Sequence, residues 1–308
     1  MKVCLTGATG YIGSHLLQRL LLRQIDLKIL VRRQQDIHRL DPIVKNHSRI
    51  SYHFYSDGYT NLFEKGDIVV HLAALQAGNG ITDEEYDQVN YGLVEDLVQA
   101  SPNDLGLFIF VSTIRVYGNH KQTRINEKSP NLGTNRYALS KAKAERFLEE
   151  NRQVPYCILQ PTIVYGPNTR KGLMLKLIRI AKIGLVPLVD SGRNVMNFIY
   201  IDDLIDIMER AIFNHEKVTS QKLIVGYPED VSMSYLFETL CPLLQKRCYK
   251  FKVSKNLLLQ VAKLGLITKS QVETFTATFK VDPMEIYKIL NLEPKTNLSD
   301  GLRKTILP

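Results

Sequence analysis

Three glycines at three-residue spacing, Gly7, Gly10 and Gly13, separate a short apolar stretch (2–6) from one with helical periodicity (11–23). A strand before such glycines and a helix after them constrain the chain more than any other feature it has. The first glycine permits a tight turn, the second lets a pyrophosphate approach the backbone, and the third lets helix and strand pack closely. Phosphate then sits on the positive end of the helix. The expected fold is α/β, a Rossmann-type doubly wound parallel sheet. Gly7, Thr9, Gly10, Tyr11, Ile12 and Gly13 are the expected contacts to a dinucleotide.

Further buried strands are predicted at 27–31, 50–54, 67–74 and 107–111, with helices over 83–100 and from about 135 onward. The second strand ends in Val31-Arg32-Arg33. A carboxylate at this place binds the adenosine ribose of NAD, whereas arginine accommodates a 2′-phosphate. Two guanidiniums and no acid favour NADP(H), with NAD(H) the alternative. Asp57 and Gly58 follow the third strand, within reach of an adenine. Leu72, Ala73 and Ala74 follow the fourth, small enough for a ribose–phosphate to lie on the backbone. His71 reads as a satisfied strand-end residue. Asn90, within the 83–100 helix, either faces solvent or bonds a neighbouring backbone.

The fifth strand delivers Ser112 and Thr113 to its carboxyl end, where open α/β sheets place their ligands. Tyr137 and Lys141 stand i and i+4 on one face of the following helix. A phenol titrates near pH 10 and is a poor acid–base group at neutral pH. An ammonium one turn away, with a positive nicotinamide ring, favours the phenolate. Thr113 can hold the substrate oxygen that gains or loses the proton.

Composition sets limits on the alternatives. The 308 residues are 44% hydrophobic and 23% charged, as in an ordinary globular protein, and no stretch of eighteen apolar residues occurs. The glycine turn begins too early for a signal peptide, so the cytoplasm is the expected location. Net charge is +9, and the last 68 residues hold twelve Lys/Arg against five Asp/Glu. No run of five like charges and no aromatic–basic signature accompanies them, so a solvated basic face is expected rather than a nucleic-acid site. Cys4, Cys157, Cys241 and Cys248 read as reduced core thiols, and no metal site is expected. The apolar, basic stretch 253–267 reads as core of a second lobe, with docking to a membrane surface or partner as the alternative.

The segments 6–13, 71–74, 111–118, 137–141, 161–167 and 197–204 together resemble the extended short-chain dehydrogenases/reductases, in the NAD-dependent epimerase/dehydratase family that includes UDP-galactose 4-epimerase. The resemblance implies a catalytic set of Thr113, Tyr137 and Lys141, with Lys141 also touching the nicotinamide ribose and Asn90 in the active-site hydrogen-bond network. It adds Pro161 and Ile163 to the cofactor contacts. It implies a dinucleotide-binding part over 1–165 plus about 195–225, and a smaller mixed α/β substrate lobe over about 166–194 plus 226–308. Asp202 and Asp203 open a helix returning to the first part, where carboxylates suit a helix start. A homodimer through the helices at 83–100 and 135–151 is also implied.

The chain departs from the family where substrate binds. Ile163 stands where asparagine is usual, Met196 where a diphosphate-binding arginine is usual, and no arginine occurs between Arg247 and Arg303. Arg170, Arg193 and Lys269 are the cations available instead. The leading expectation is an NADP(H)-dependent enzyme reducing a keto group of a sugar, nucleotide-linked by the resemblance. The alternatives are a nucleotide-sugar epimerase with tightly bound NAD(P), a ketoreductase for a non-nucleotide substrate, and a dinucleotide-binding regulator without turnover.

Overall fold

The computed structural model describes residues 2–76, 78, 80–118, 124–264, 272 and 275–307. Among them, seven strands form one parallel sheet: β1 (Val3–Thr6), β2 (Leu27–Val31), β3 (Ile50–Phe54), β4 (Ile68–His71), β5 (Leu107–Val111), β6 (Tyr156–Pro161) and β10 (Gln221–Val225), ordered β3-β2-β1-β4-β5-β6-β10. Parallel neighbours cannot be joined by hairpins, so each return crosses a face of the sheet, and the strands are apolar on both sides. Leu107, Ile109 and Val111 of β5 enter one core with the Tyr11–Leu22 and Ile201–Phe213 helices. Phe108 and Phe110 enter the other, with the Leu93–Gln99 and Arg136–Asn151 helices.

The chain runs outward from β1 to β3, then returns across β1 to β4, so the sheet reverses direction between β1 and β4. The crevice at such a reversal is where these sheets bind ligands. Gly7 opens it in a left-handed conformation (φ 69°), which non-glycine residues rarely adopt. A Cβ on Gly13 would lie 2.2 Å from the Gly7 carbonyl oxygen, which is the close helix–strand contact expected from the sequence.

Two smaller sheets lie beyond the main one. β7 (Ile163–Tyr165), β9 (Val195–Tyr200) and β11 (Asp230–Ser232) form one, and β8 (Leu185–Val189) pairs in parallel with β12 (Tyr249–Val253). The strands at 163–165 and 195–200 hydrogen-bond to each other, and the second also to β11. The Ile201–Phe213 helix ties the parts together. Its Asp206 and Glu209 pair with Arg19 of the helix after the glycine turn, and Glu209 also with Arg23 at 2.6 Å. Asp203, in its first turn beside Asp202 as expected, accepts the N–H (2.9 Å) and hydroxyl (2.8 Å) of Thr296.

Three expectations need correction. Cys241 and Cys248 form a disulfide, not a pair of thiols. The Met233–Leu243 helix ends just past Cys241, and a turn with Gln245 at φ 53° folds back so that Lys246 N–H bonds the Cys241 carbonyl at 3.0 Å. The two Cα atoms then stand 6.1 Å apart, within bridging range. Cys4 and Cys157 are free and buried. The helix expected over 83–100 is interrupted: a π-helical segment, Asp87–Gly92, separates α-helical Asp83–Tyr86 from Leu93–Gln99. Such wide turns make room for a side chain with business outside the helix, here Asn90. Finally, the Lys255–Lys263 helix has no buried residue, and Leu257 is half exposed, so the described part of 253–267 beyond Val253 is not lobe core.

The helix–strand contact gives a direct test. Gly13→Ala should lower stability by about 1–3 kcal/mol through overpacking, read as a shift of the urea midpoint at unchanged m-value, and should weaken dinucleotide binding with it.

Candidate active site

The glycine turn fits a pyrophosphate by three observations. The Tyr11–Leu22 helix has no side-chain cap and no acid in its first turn, so its first N–H groups point at whatever lies before them. A Cβ on Gly10 would meet only the Gly7 oxygen, at 3.1 Å, which leaves the space above it open. The Tyr11 hydroxyl is buried without a partner. Thr6 organises the other wall. Its hydroxyl oxygen accepts the N–H groups of Leu72 and Ala73, both at 3.1 Å, and so pins the chain after β4.

The Thr6 hydroxyl lies 3.0 Å from His71 Nδ1. With its oxygen accepting two N–H groups, the hydroxyl proton goes to Nδ1, and the ring proton stays on Nε2. Burial between Phe108 and Phe110 pushes the imidazole down to about 3, and the Lys141 charge acts in the same direction. His71 is therefore neutral with its lone pair engaged, a structural tie between β1 and β4.

Arg32 and Arg33 are exposed just beyond β2. The parallel pairing of β2 with β3 brings residues 55–58 beside them. There Asp57 accepts the N–H of Phe54 (3.3 Å) and closes its own turn, and Gly58 follows with open space around it. Pro161 ends β6 against Val225, and Ile163 begins the next strand and faces a cavity.

At the carboxyl end of β5, Thr113 is almost fully buried and its hydroxyl oxygen accepts the Arg115 backbone N–H at 3.3 Å. Asn135 caps the Arg136–Asn151 helix through the Ala138 N–H (2.8 Å) and so fixes where Tyr137 and Lys141 emerge. Burial raises the phenol's pKa, while the Arg115 charge and the Thr113 hydroxyl lower it. The cation acting on Tyr137 in this geometry is thus Arg115, a residue the sequence reading did not single out.

Lys141 is 1% exposed, and its ammonium has no hydrogen-bond partner among the described residues. It lies over the Phe110 ring, 4.1 Å from the centroid. Burial depresses it to about 7, and Glu145 holds it up against that fall. Glu145, one turn further along the same face, is fully buried and accepts from Ser112 Oγ and from Gln160 Nε2 (2.9 Å), whose own oxygen accepts from Tyr117 at 2.7 Å. The i+4 spacing from Lys141 was the available signal for it.

Asn90 is fully buried. Its Oδ1 accepts the Leu75 N–H (2.8 Å), and its Nδ2 donates to the Leu75 carbonyl (3.1 Å) and to Ser140 Oγ (3.0 Å). Of the two readings left open, it bonds backbone, and it joins the chain after β4 to the helix of Tyr137. Its contacts are with these supports and not with Thr113, Tyr137 or Lys141.

Beside these groups opens a cavity of about 360 Å³. Its walls include Ile163 and Met196, two of the positions where the sequence departs from the pattern it resembles, together with Arg115, Asn197, Phe279 and Lys255. Two cations and no carboxylate line it among the described residues. Arg170 and Arg193 are exposed and not part of this lining, and Lys269 lies outside the described residues.

A model of the NAD dependent epimerase/dehydratase family matches residues 3–226. The chain is 28% identical over 333 residues to UDP-glucose 4-epimerase of Vibrio cholerae, spanning 99% of this chain and 94% of that protein. It is 30% identical over 328 residues to dTDP-D-glucose 4,6-dehydratase of Mus musculus, spanning 99% and 87%. Among solved structures, UDP-glucuronic acid 4-epimerase of Bacillus cereus in complex with NAD superposes with a TM-score of 0.79 at 23% identity, covering 99% of this chain and 95% of that one.

Glu145 carries a prediction whose sign is fixed by its charge. Because it raises the Lys141 pKa, Glu145→Gln should let that amine lose its proton at lower pH. The alkaline limb of the kcat profile then moves to lower pH with KM little changed; a limb that stays in place would show Glu145 to be packing alone.

Proposed function

The chain belongs to the NAD-dependent epimerase/dehydratase family, and we propose that it moves hydride to and from one ring carbon of a nucleotide-linked sugar, with Tyr137 as acid–base group. The observation that carries this reading is that Thr113 and Tyr137 act on each other beside a cavity that Arg115 and Asn135, their near neighbours in the chain, line and that no described carboxylate lines. Removing water from a sugar calls for a second acid–base group beside the phenol, and a carboxylate is the usual one. Its absence among the described lining residues favours simple oxidation and reduction of a C–OH group over dehydration.

The nicotinamide cofactor supplies the hydride acceptor and donor when bound. Gly7, Gly10 and Gly13 would hold its pyrophosphate, Leu72 to Ala74 its ribose–phosphate, and Lys141 its nicotinamide ribose. Thr113 orients the sugar oxygen, and the Tyr137 phenolate takes its proton; on the return the phenol gives the proton back. Arg115 keeps the phenolate accessible. Net epimerisation is supported by the full-length likeness to a 4-epimerase.

A second reading, net reduction with NADP(H), is favoured by Arg32 and Arg33, exposed at the β2 end with no carboxylate between them and the strand. The two differ in stoichiometry: an epimerase forms product with no net change in cofactor, and a reductase consumes one NADPH per product. Under either, Tyr137→Phe should abolish turnover and leave dinucleotide affinity within about two-fold, since it removes a hydroxyl and no binding charge; an active variant would sink the mechanism. In a fluorescence titration Arg32→Ala should weaken NADPH by about ten-fold and NADH little, the loss of one charge-assisted contact. Equal NADPH and NADH affinity in the wild type would remove the NADP(H) reading.

A further inference from the structure

A guanidinium lining a cavity without a described carboxylate asks for an anion. Arg115 sits half-buried on the short 3₁₀ turn Ile114–Tyr117 that follows Thr113, and its side chain has no carboxylate partner among the described residues. The neighbouring walls mix apolar Ile163, Met196 and Phe279 with uncharged polar Asn135, Thr162 and Asn197, and none of them carries an opposite charge. Taking a cation out of water is costly unless an opposite charge meets it. No described carboxylate lines the cavity, so that charge has to arrive with a ligand.

The place of Arg115 narrows what the ligand's anion can be. Its backbone N–H bonds the Thr113 hydroxyl at 3.3 Å and it lines the cavity beside Asn135, two residues before Tyr137, so the group it meets is near the reacting carbon. A diphosphate held there would bring the wrong end of a nucleotide sugar to the phenol. Lys255, exposed on the same lining, is a second cation that a phosphate can meet. The cofactor's own phosphates belong to the glycine turn. A planar fork of N–H donors matches a carboxylate in a bidentate geometry.

We infer that Arg115 is a specificity-determining residue that binds a carboxylate carried by the sugar itself, so that the preferred substrate is a nucleotide-linked uronic acid rather than a neutral hexose. This rests on the proposed chemistry at Tyr137, and it goes beyond that chemistry in naming the substrate's charge. Arg115 then has two tasks at one position. It holds the substrate's anion, and its residual field still reaches Tyr137.

Calorimetric titration at pH 7.5 with oxidised cofactor present tests it, using four ligands: the glucuronic acid and glucose derivatives of UDP and of dTDP. Wild type should bind the acid of a responding pair tighter than the neutral sugar by about ten-fold or more, the range of one charge-assisted hydrogen-bonded contact. Arg115→Met should bring the pair within about two-fold by loss of that contact, while Arg115→Lys keeps part of the preference because charge survives without the fork. Equal binding of acid and neutral sugar by the wild type overturns the inference and leaves the proposed chemistry standing, with Arg115 serving Tyr137 alone. That arm needs no variant, so it holds even if Arg115→Met fails to fold. A discrimination that survives unchanged in a folded Arg115→Met also overturns it. Binding of none of the four overturns both readings together.

Discussion

Seven strands that all run one way put every carboxyl end on one edge of the sheet, and this constraint underlies the rest of the molecule. Thr6, Val31, His71, Val111 and Pro161 end their strands along that edge. Each is followed by a piece of the candidate site: the glycine turn, the two arginines, the Leu72–Ala74 segment, Ser112 to Arg115, and Ile163. The reversal of strand order between β1 and β4 then opens a crevice without any cavity having to be cut into the core.

Below that edge the polar groups are arranged in pairs of opposing demands. Burial makes Tyr137 reluctant to ionise and Lys141 reluctant to hold a proton, and each tendency is opposed by one neighbour, Arg115 for the phenol and Glu145 for the amine. Ser112 and Gln160 spend their donors on Glu145, and burial pushes its carboxyl up regardless. His71 stays neutral because the cheapest way to hold an imidazole beside a buried ammonium is without charge. Of these groups the Lys141 amine, brought down to about 7, is the one left near balance at neutral pH, where a proton-transfer group works best.

How much of this was legible in the sequence depends on the range of the interaction. The glycine spacing, the Ser112-Thr113 strand end and the i, i+4 pair of Tyr137 and Lys141 are local patterns, and the structure brings them to one edge of the sheet. Arg115 lay in plain view between Thr113 and Tyr117, but its weight comes from what surrounds it: a cavity assembled from β7, β9 and segments 150 residues away, whose lack of acids no local pattern reveals. The disulfide depended on a left-handed turn at Gln245, and a seven-residue spacing without histidine gave no hint of it. In the Lys255–Lys263 helix the apolar residues had helical spacing, yet none of them is buried, so periodicity pointed to a core that these described residues do not enter.

The Ile201–Phe213 helix has a mechanical consequence. One end holds Thr296 near the closing segments of the chain, and its middle grips Arg19 and Arg23 on the helix that the glycine turn begins. It works as a strut between two walls. The separation between the dinucleotide crevice and the cavity beside Tyr137 is therefore a fixed length rather than a hinge angle, and alignment of the two reactants is inherited from the fold before either one arrives.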